Sequence, residues 1–397
     1  MRFELHSSTA AAGWSGRFGK PQLLLTCDSQ RHIAKLVSPG GIVQEWRDPL
    51  AALRWMARSP SGQAGRWIGY LSYDLGRWFE TLPSKAQDDL HLPLFAFGFH
   101  TAEAGTASTP AANPSPPAEL LERISPQVFL RDVQRVIDYI AAGDVFQVNL
   151  AHRIRARVGE NTEAIWRRLL SESPAAYGAL LQFFDHTLIC NSPELFLRVD
   201  ADAATGKRLV QTRPIKGTRP VGEGMEAALR ESIKDQAELN MIVDLERNDL
   251  GRVCTIGSVR VIEPRTIETH PTVLHGVATI QGDLRSDVDF VDLLAATFPG
   301  GSITGAPKIR AMQIIDELEP CSRGPYCGSI GYVEPNGNLQ FNIAIRTILL
   351  KDGIAHISVG GGIVADSQPQ AEYAETLVKA RALLSAIGLN DGSLAEI

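Results

Sequence analysis

The sequence predicts an α+β fold in which strands cluster and long helices stand apart from them. Three observations carry that reading. Two runs near the C-terminus alternate with a period of two, four runs are long enough for helices, and no regular strand-helix-strand alternation links them. In chain order, helices are expected over residues 130–142 and 225–245. A third, over 307–318, follows the glycine-rich segment 298–308, where Ser302 or Thr304 stands near the cap and Pro307 falls in the first turn. Residues 335–338, with Asn336-Gly337 at their centre, signal a turn. Beyond it, Leu339, Phe341, Ile343 and Ile345 fall on one side of a strand and Asn342, Ala344 and Arg346 on the other. Ala355, Ile357 and Val359 alternate with His356, Ser358 and Gly360 in the next run, so the two read as antiparallel neighbours. A last helix is expected over 370–387.

At 397 residues and 44 % hydrophobic content the chain can bury a large core. No apolar run reaches the roughly 18 residues that span a bilayer. Residues 1–19 have no positive flank ahead of an apolar block, and a cytoplasmic protein with no membrane partner is expected. The net charge of −6, without a basic stripe, argues against nucleic acid as a partner. Five scattered cysteines with no Cys-x-x-Cys pair read as reduced packing residues rather than disulfides or zinc ligands. Residues 101–117 are rich in Ala, Thr, Ser and Pro and lack any large apolar side chain, which divides the chain into an N-terminal part (1–105), a linker (106–117) and a C-terminal part (118–397).

The candidate chemistry centres on Lys216, between Pro214 and Gly217 in a short rigid segment. Free lysine titrates near ~10.4, so a nucleophilic amine at neutral pH needs burial or a neighbouring cation. Arg213 and Arg219 stand near enough in sequence to supply that cation, although a solvated turn lysine also fits the segment. Asp235 and Glu238 share one helix face, and Glu372, Glu375 and Lys379 form a stripe on another. Facing carboxylates suit a hard divalent cation such as magnesium, which takes oxygen ligands and bridges to anionic substrates. Solvated faces with a local Glu375–Lys379 pair account for the same spacing. The segment 298–308 can bind an anion through backbone N–H groups but lacks the ending of a nucleotide-binding loop. Gly360-Gly361-Gly362 is either a close approach of backbone to a carboxylate or an ordinary turn. Arg346 is either a bidentate carboxylate binder or an exposed strand arginine.

Gly69 through Asp74, Ala142 through Leu150, Ser192-Pro193-Glu194, the Lys216 segment, Asp244 through Arg252, Gly305-Ala306-Pro307-Lys308 and residues 366–379 follow one another over most of the chain. Together they resemble the chorismate-utilising enzyme family. The resemblance implies two large antiparallel sheets packed as a sandwich and flanked by helices, with the N-terminal strands contributing and 118–397 binding chorismate. It implies Glu238 and Glu375 as principal magnesium ligands, with Asp235 and Glu372 beside them. Tyr332, Arg346, Lys379, Gly217 and the amides of Gly360 and Gly362 would hold the substrate, and His275 and Ser302 would line its ring. Ser302 stands where relatives often have threonine, and Asp235 where several have glutamate. Members that hydrate C2 place a lysine base where this chain has Gln147, whose amide cannot deprotonate water. Anthranilate synthases have a small residue where this chain has Lys216. The resemblance therefore implies the branch that replaces the C4 hydroxyl of chorismate by an amine, giving 4-amino-4-deoxychorismate for 4-aminobenzoate and folate, with anthranilate formation as the alternative. Lys216 is expected to attack C2 and Glu194 to protonate the leaving hydroxyl. Ammonia is expected from a separate glutamine amidotransferase subunit.

Overall fold

The computed structural model describes residues 1–9, 11, 13–58, 65–101, 118–159, 161–202 and 204–389. The linker expected over 106–117 lies outside them. Two antiparallel sheets of nine and twelve strands organise the described chain. The nine-stranded sheet runs from Gly305–Ala306 through Gln147–Arg157, Ile354–Ile363, Thr347–Lys351, His186–Ser192 and Tyr177–Gln182 to Arg2–His6 and Gly16–Phe18. The other runs from Ile215–Pro220 through Val273–Asp283, Arg208–Arg213, Leu195–Ala201, Leu339–Asn342 and Ser329–Val333 to five N-terminal strands ending at Gly41–Trp46. Strands from the first hundred residues thus join both sheets.

The sheets pack through Phe3, Leu5, Leu181 and Leu188 of one and Ile68, Tyr70, Ala96 and Ile330 of the other. Fully burying each large side chain of this layer contributes about 1.5–3 kcal/mol. On its other side the nine-stranded sheet is covered by the helices Thr162–Glu172 and Pro369–Ala386, through Trp166, Leu169, Ala380 and Leu383. The twelve-stranded sheet packs on Pro49–Arg58, Ile233–Gly251, Phe290–Thr297 and Lys308–Leu318. No helix among the described residues is long and apolar enough to cross a membrane. The cysteines are all free, and only Cys321 is not fully buried.

Local chemistry corrects several expected boundaries. The helix expected over 225–245 is two, Met225–Glu231 and Ile233–Gly251, because Ser232 turns its Oγ to accept from Asp235 N and caps the second. Neither Ser302 nor Thr304 caps the helix Lys308–Leu318, whose cap is Pro307. Ser302 lies in the 3-10 turn Gly301–Ile303, and Thr304 Oγ1 donates instead to Gly300 O at 2.9 Å. The strand expected from 339 onward ends at Asn342, and Thr347–Lys351 is its continuation in the opposite sheet. Between them Ile343 N donates to Glu194 O at 3.0 Å, and Arg346 adopts φ 50°. The neighbour of Ile354–Ile363 is therefore Thr347–Lys351, while Leu339–Asn342 pairs in the other sheet. Gly360, Gly361 and Gly362 belong to the strand Ile354–Ile363 and not to a turn after it.

Candidate active site

Lys216 owes its position to an irregular strand edge. The strand Ile215–Pro220 slips register against Val273–Asp283 between Ile215 and Thr218, and Gly217 within the slip has φ 82°. A Cβ on Gly217 would stand 2.7 Å from Leu229 Cδ1 and 2.9 Å from Asp235 Cγ, so the helix Ile233–Gly251 approaches as closely as it does only over a glycine. The slip sends Lys216 inward, and its Nζ donates to Ser302 O at 3.4 Å. Burial lowers the amine's pKa and Lys379 adds to that, while Glu238, Glu194 and Glu375 oppose it. The cations expected to do this, Arg213 and Arg219, do not. Each is neutralised by its own carboxylate, Arg213 by Glu268 and Arg219 by Asp235 at 2.8 Å.

Glu194, 4 % exposed, immediately precedes the strand Leu195–Ala201. Burial raises its pKa, and Ser302, Lys216, the Ile215 N–H and Arg346 each pull it back. Ser302 lies close enough to favour the carboxylate, yet among the described residues its Oγ completes no hydrogen bond of ordinary geometry and is left for another partner.

The acidic stripe on the helix Pro369–Ala386 converges above Gly361. A Cβ there would meet Glu372 Oε2 at 3.5 Å, Lys379 Nζ at 3.6 Å and Glu375 Oε1 at 3.8 Å. Lys379 pairs with Glu375 at 2.8 Å and donates to Gly360 O at 3.0 Å, so it fastens the helix to the strand beneath. Burial opposes ionisation of Glu375, but Lys379, Lys234 and Lys216 together hold it below the usual range. Glu238 is raised by burial, with Asp235 and Glu372 repelling its charge. Ser367 donates to Glu372 at 2.7 Å. Asp235 is occupied by Arg219 and stands apart from the other carboxylates as a ligand candidate. Among the described residues no three acidic, histidine or cysteine side chains close into a metal-binding group. Glu238, Glu375 and Glu372 are hard oxygen donors of the kind a divalent cation takes, and substrate or water would complete its coordination.

Arg346 stands near Glu194 and His275. Its guanidinium has no hydrogen-bond or ion-pair partner among the described residues, and burial lowers its pKa with only Glu194 opposing. An unpaired, half-buried guanidinium is a ready fork for an incoming carboxylate. His275, 2 % exposed and 2.9 Å from Thr218 Oγ1, is pushed by burial and then Arg346 down to about 3, so it is neutral. Gln147 is fully buried, neither amide atom is bonded among the described residues, and its Nε2 lies 2.9 Å from where a side chain on Gly362 would begin. Gly362 therefore leaves room for a polar amide that wants a ligand.

Electrostatic contacts link Lys216 to Glu194, Glu238, Glu375 and Lys379, Glu194 to Ser302 and Arg346, and Arg346 to His275. Glu372 and Gly217 share elements with Glu375 and Lys216, and Gly360 and Gly362 lie on the strand beneath Lys379. Tyr332 is not brought to them. Its ring lies 4.6 Å from the Arg66 guanidinium, its hydroxyl donates to Gln340 at 3.2 Å, and it belongs to the apolar layer between the sheets. Sequence reasoning missed Arg323, which is buried, pairs with Glu319 at 2.6 Å, and donates to Ile303 O and Asn149 O. It anchors the turn that carries Ser302, and the four-residue spacing from Glu319 was its only local signal.

A family model described as chorismate binding enzyme matches residues 20–385. The anthranilate synthase component 1 of Thermus thermophilus is 38 % identical, over 88 % of this chain and 85 % of that one. The aminodeoxychorismate synthase component 1 of Bacillus subtilis is 39 % identical, over 84 % and 78 %. The solved structure of anthranilate synthase component I from Streptococcus pneumoniae superposes with a TM-score of 0.79 at 29 % identity, covering 97 % of this chain and 92 % of that one. With two antiparallel sheets of that same fold and a family match over residues 20–385, the chain belongs to the chorismate-binding enzyme family.

Proposed function

We propose that this protein is an aminodeoxychorismate synthase component I, which converts chorismate and ammonia to 4-amino-4-deoxychorismate in the cytoplasm. The observation that carries the reading is the amine of Lys216, buried among Glu194, Glu238, Glu375 and Lys379 and lowered in pKa. Where a small residue would let ammonia reach C2, the lysine fills the approach and attacks there itself. The C4–oxygen bond breaks as Glu194 gives its proton to the departing hydroxyl, which leaves as water. Ammonia then adds at C4 and displaces Lys216 as a free amine, and the new ammonium returns a proton to Glu194. The sum is one hydroxyl exchanged for one amine, with water released.

Arg346 and Lys379 hold carboxylates of the substrate in this reading, and neutral His275 and Ser302 flank its ring. Glu238 and Glu375, with Glu372 beside them, would hold a magnesium ion, which would supply neutralisation of a substrate carboxylate. Ammonia comes from a separate glutamine amidotransferase.

The similar identity to relatives named anthranilate synthase supports a second reading, amination at C2. One experiment separates the two. The purified chain is incubated with chorismate and ammonium or glutamine, with magnesium or EDTA, and the product is identified by chromatography and mass. The C4-aminated product from ammonium alone, abolished by EDTA, is expected. Anthranilate as the main product, or full activity in EDTA, would overturn the corresponding part.

A further inference from the structure

The short 3-10 turn Tyr73–Trp78 belongs to the N-terminal part of the chain, yet it grips the segment behind Lys216. Tyr73 N donates to Gly324 O at 2.8 Å, and Gly324 N donates back to Asp74 Oδ2 at 2.9 Å. The guanidinium of the preceding residue, Arg323, stands 4.7 Å from the centre of the Tyr73 ring. Arg323 is thus held through its neighbour's backbone and through its own side chain. Its fork is fully used. Nε and Nη2 bind the two oxygens of Glu319 at 2.9 and 2.6 Å, Nη1 donates to Ile303 O at 2.9 Å and Nη2 to Asn149 O at 2.7 Å. Glu319 Oε1 in turn accepts from Ala151 N at 2.9 Å. The fork therefore spans from the strand Gln147–Arg157 to the turn Gly301–Ile303. A Cβ on Gly76 would stand 2.9 Å from Pro299 Cδ, so the N-terminal turn also presses directly on the segment that leads into Gly301. Next to Ile303, the Ser302 carbonyl accepts the one hydrogen bond that the Lys216 amine makes among the described residues. An amine that spends one N–H on a fixed carbonyl has its lone pair turned away from that oxygen, so the carbonyl sets the direction of attack.

We propose that Tyr73 and Asp74 are positioning residues for Lys216: they seat Arg323, the Arg323 fork fixes the turn Gly301–Ile303, and the Ser302 carbonyl aims the lysine amine at the substrate. The first hundred residues then contribute to the rate without touching chorismate. Misplacing a reacting group by about 1 Å costs on the order of 100-fold in rate, so small shifts of the turn are enough to matter. The inference rests on Lys216 acting as the nucleophile.

The test pairs each disruptive substitution with one that keeps the contact. Asp74→Ala removes the acceptor for Gly324 N, and Asp74→Asn keeps an oxygen there. Tyr73→Leu removes the ring beside the guanidinium, and Tyr73→Phe keeps it. The readouts are kcat and KM for chorismate at saturating ammonium, and the rate at which the Lys216 peptide gains an adduct with chorismate in the absence of ammonia. Asp74→Ala and Tyr73→Leu should lose about fivefold or more in kcat and in adduct rate, with KM changed less than about twofold. Asp74→Asn and Tyr73→Phe should stay within about twofold of the wild type in both rates. If Tyr73→Leu fails to fold, the Asp74 pair, at the edge of the clamp, decides. A wild-type adduct rate in Asp74→Ala, equal losses in Asp74→Ala and Asp74→Asn, or a rise in KM that accounts for the loss would overturn this inference alone. Absence of an adduct in the wild type would overturn the lysine chemistry of the proposed function and this inference with it.

Discussion

Lys216 and Arg346 are two cations that the fold buries without full compensation, and each is thereby tuned for a different task. Burial lowers the lysine toward its neutral, nucleophilic form, whereas a guanidinium stays charged and waits for an anion. On the proposed reading, Lys216→Ala should still bind chorismate but should run at least tenfold slower, with its residual product shifted toward the C2-aminated isomer at high ammonium. Wild type held with chorismate and no ammonia should carry an adduct on the peptide containing Lys216, read by mass spectrometry. A variant as fast as wild type with the same product, and no adduct, would make the lysine a structural residue. The lysine itself was legible because Pro214 and Gly217 frame it. Its environment was not, since Arg213 and Arg219 are adjacent in sequence yet paired away from it in space, and Lys379 arrives from more than 150 residues downstream.

At the scale of elements, the site depends on where helices and strands stop. Ser232 interrupts a helical run and re-aims the segment that carries Glu238. Ser232→Ala should cost about 1 kcal/mol and lower the Tm by a few degrees. Gly217→Ala forces a side chain into φ 82° and against Asp235, and should cost at least as much while also displacing Lys216. Thermal unfolding and activity below both transitions distinguish them: only Gly217→Ala should lose most of its rate while folded. The helices at 308–318 and 369–386 were legible to within a residue or two because a proline, Pro307 or Pro369, marks the start of each. The segment 339–346 was not. Six of its eight residues, from Leu339 to Ala344, are buried, so alternation carries no sign of the exit from one sheet into the other. A buried Asn342 that donates to Tyr177 O of the opposite sheet is the only polar clue to that crossing.

For the whole molecule, the legible part was the class and the long motif order, and the illegible part was how the N-terminal strands divide between sheets, which no local pattern encodes. Four buried histidines bear on stability. Burial depresses His275 to about 3 and His100, His152 and His356 to about 4, whereas the unfolded chain binds protons near ~6.5. Their folded pKa values lie below the unfolded ones, so the unfolded state takes up more protons in that window and stability falls as pH drops through it. In Glu246→Gln, which lacks the carboxyl that burial raises to about 8 and that would take up a stabilising proton over the same window, the Tm should be level from pH 7 to 8 and fall by roughly 5 °C or more by pH 5. A level Tm down to pH 5 would show that the histidines are protonated in the folded chain. The crossing at residues 343–346 has a further consequence, for the order of folding. Ahead of Arg346, Ala344 still pairs with Cys327 and Gly328 along its own hairpin. By contrast, Asn342 Nδ2 donates to Tyr177 O at 3.0 Å and Arg346 O accepts from Asn191 N at 3.1 Å, both from strands of the nine-stranded sheet, so Arg346 is fixed only once both sheets are in place. The carboxylate fork is thus completed by the latest, most non-local pairings, and on refolding the ability to bind chorismate should return after the bulk of the strand signal has already recovered.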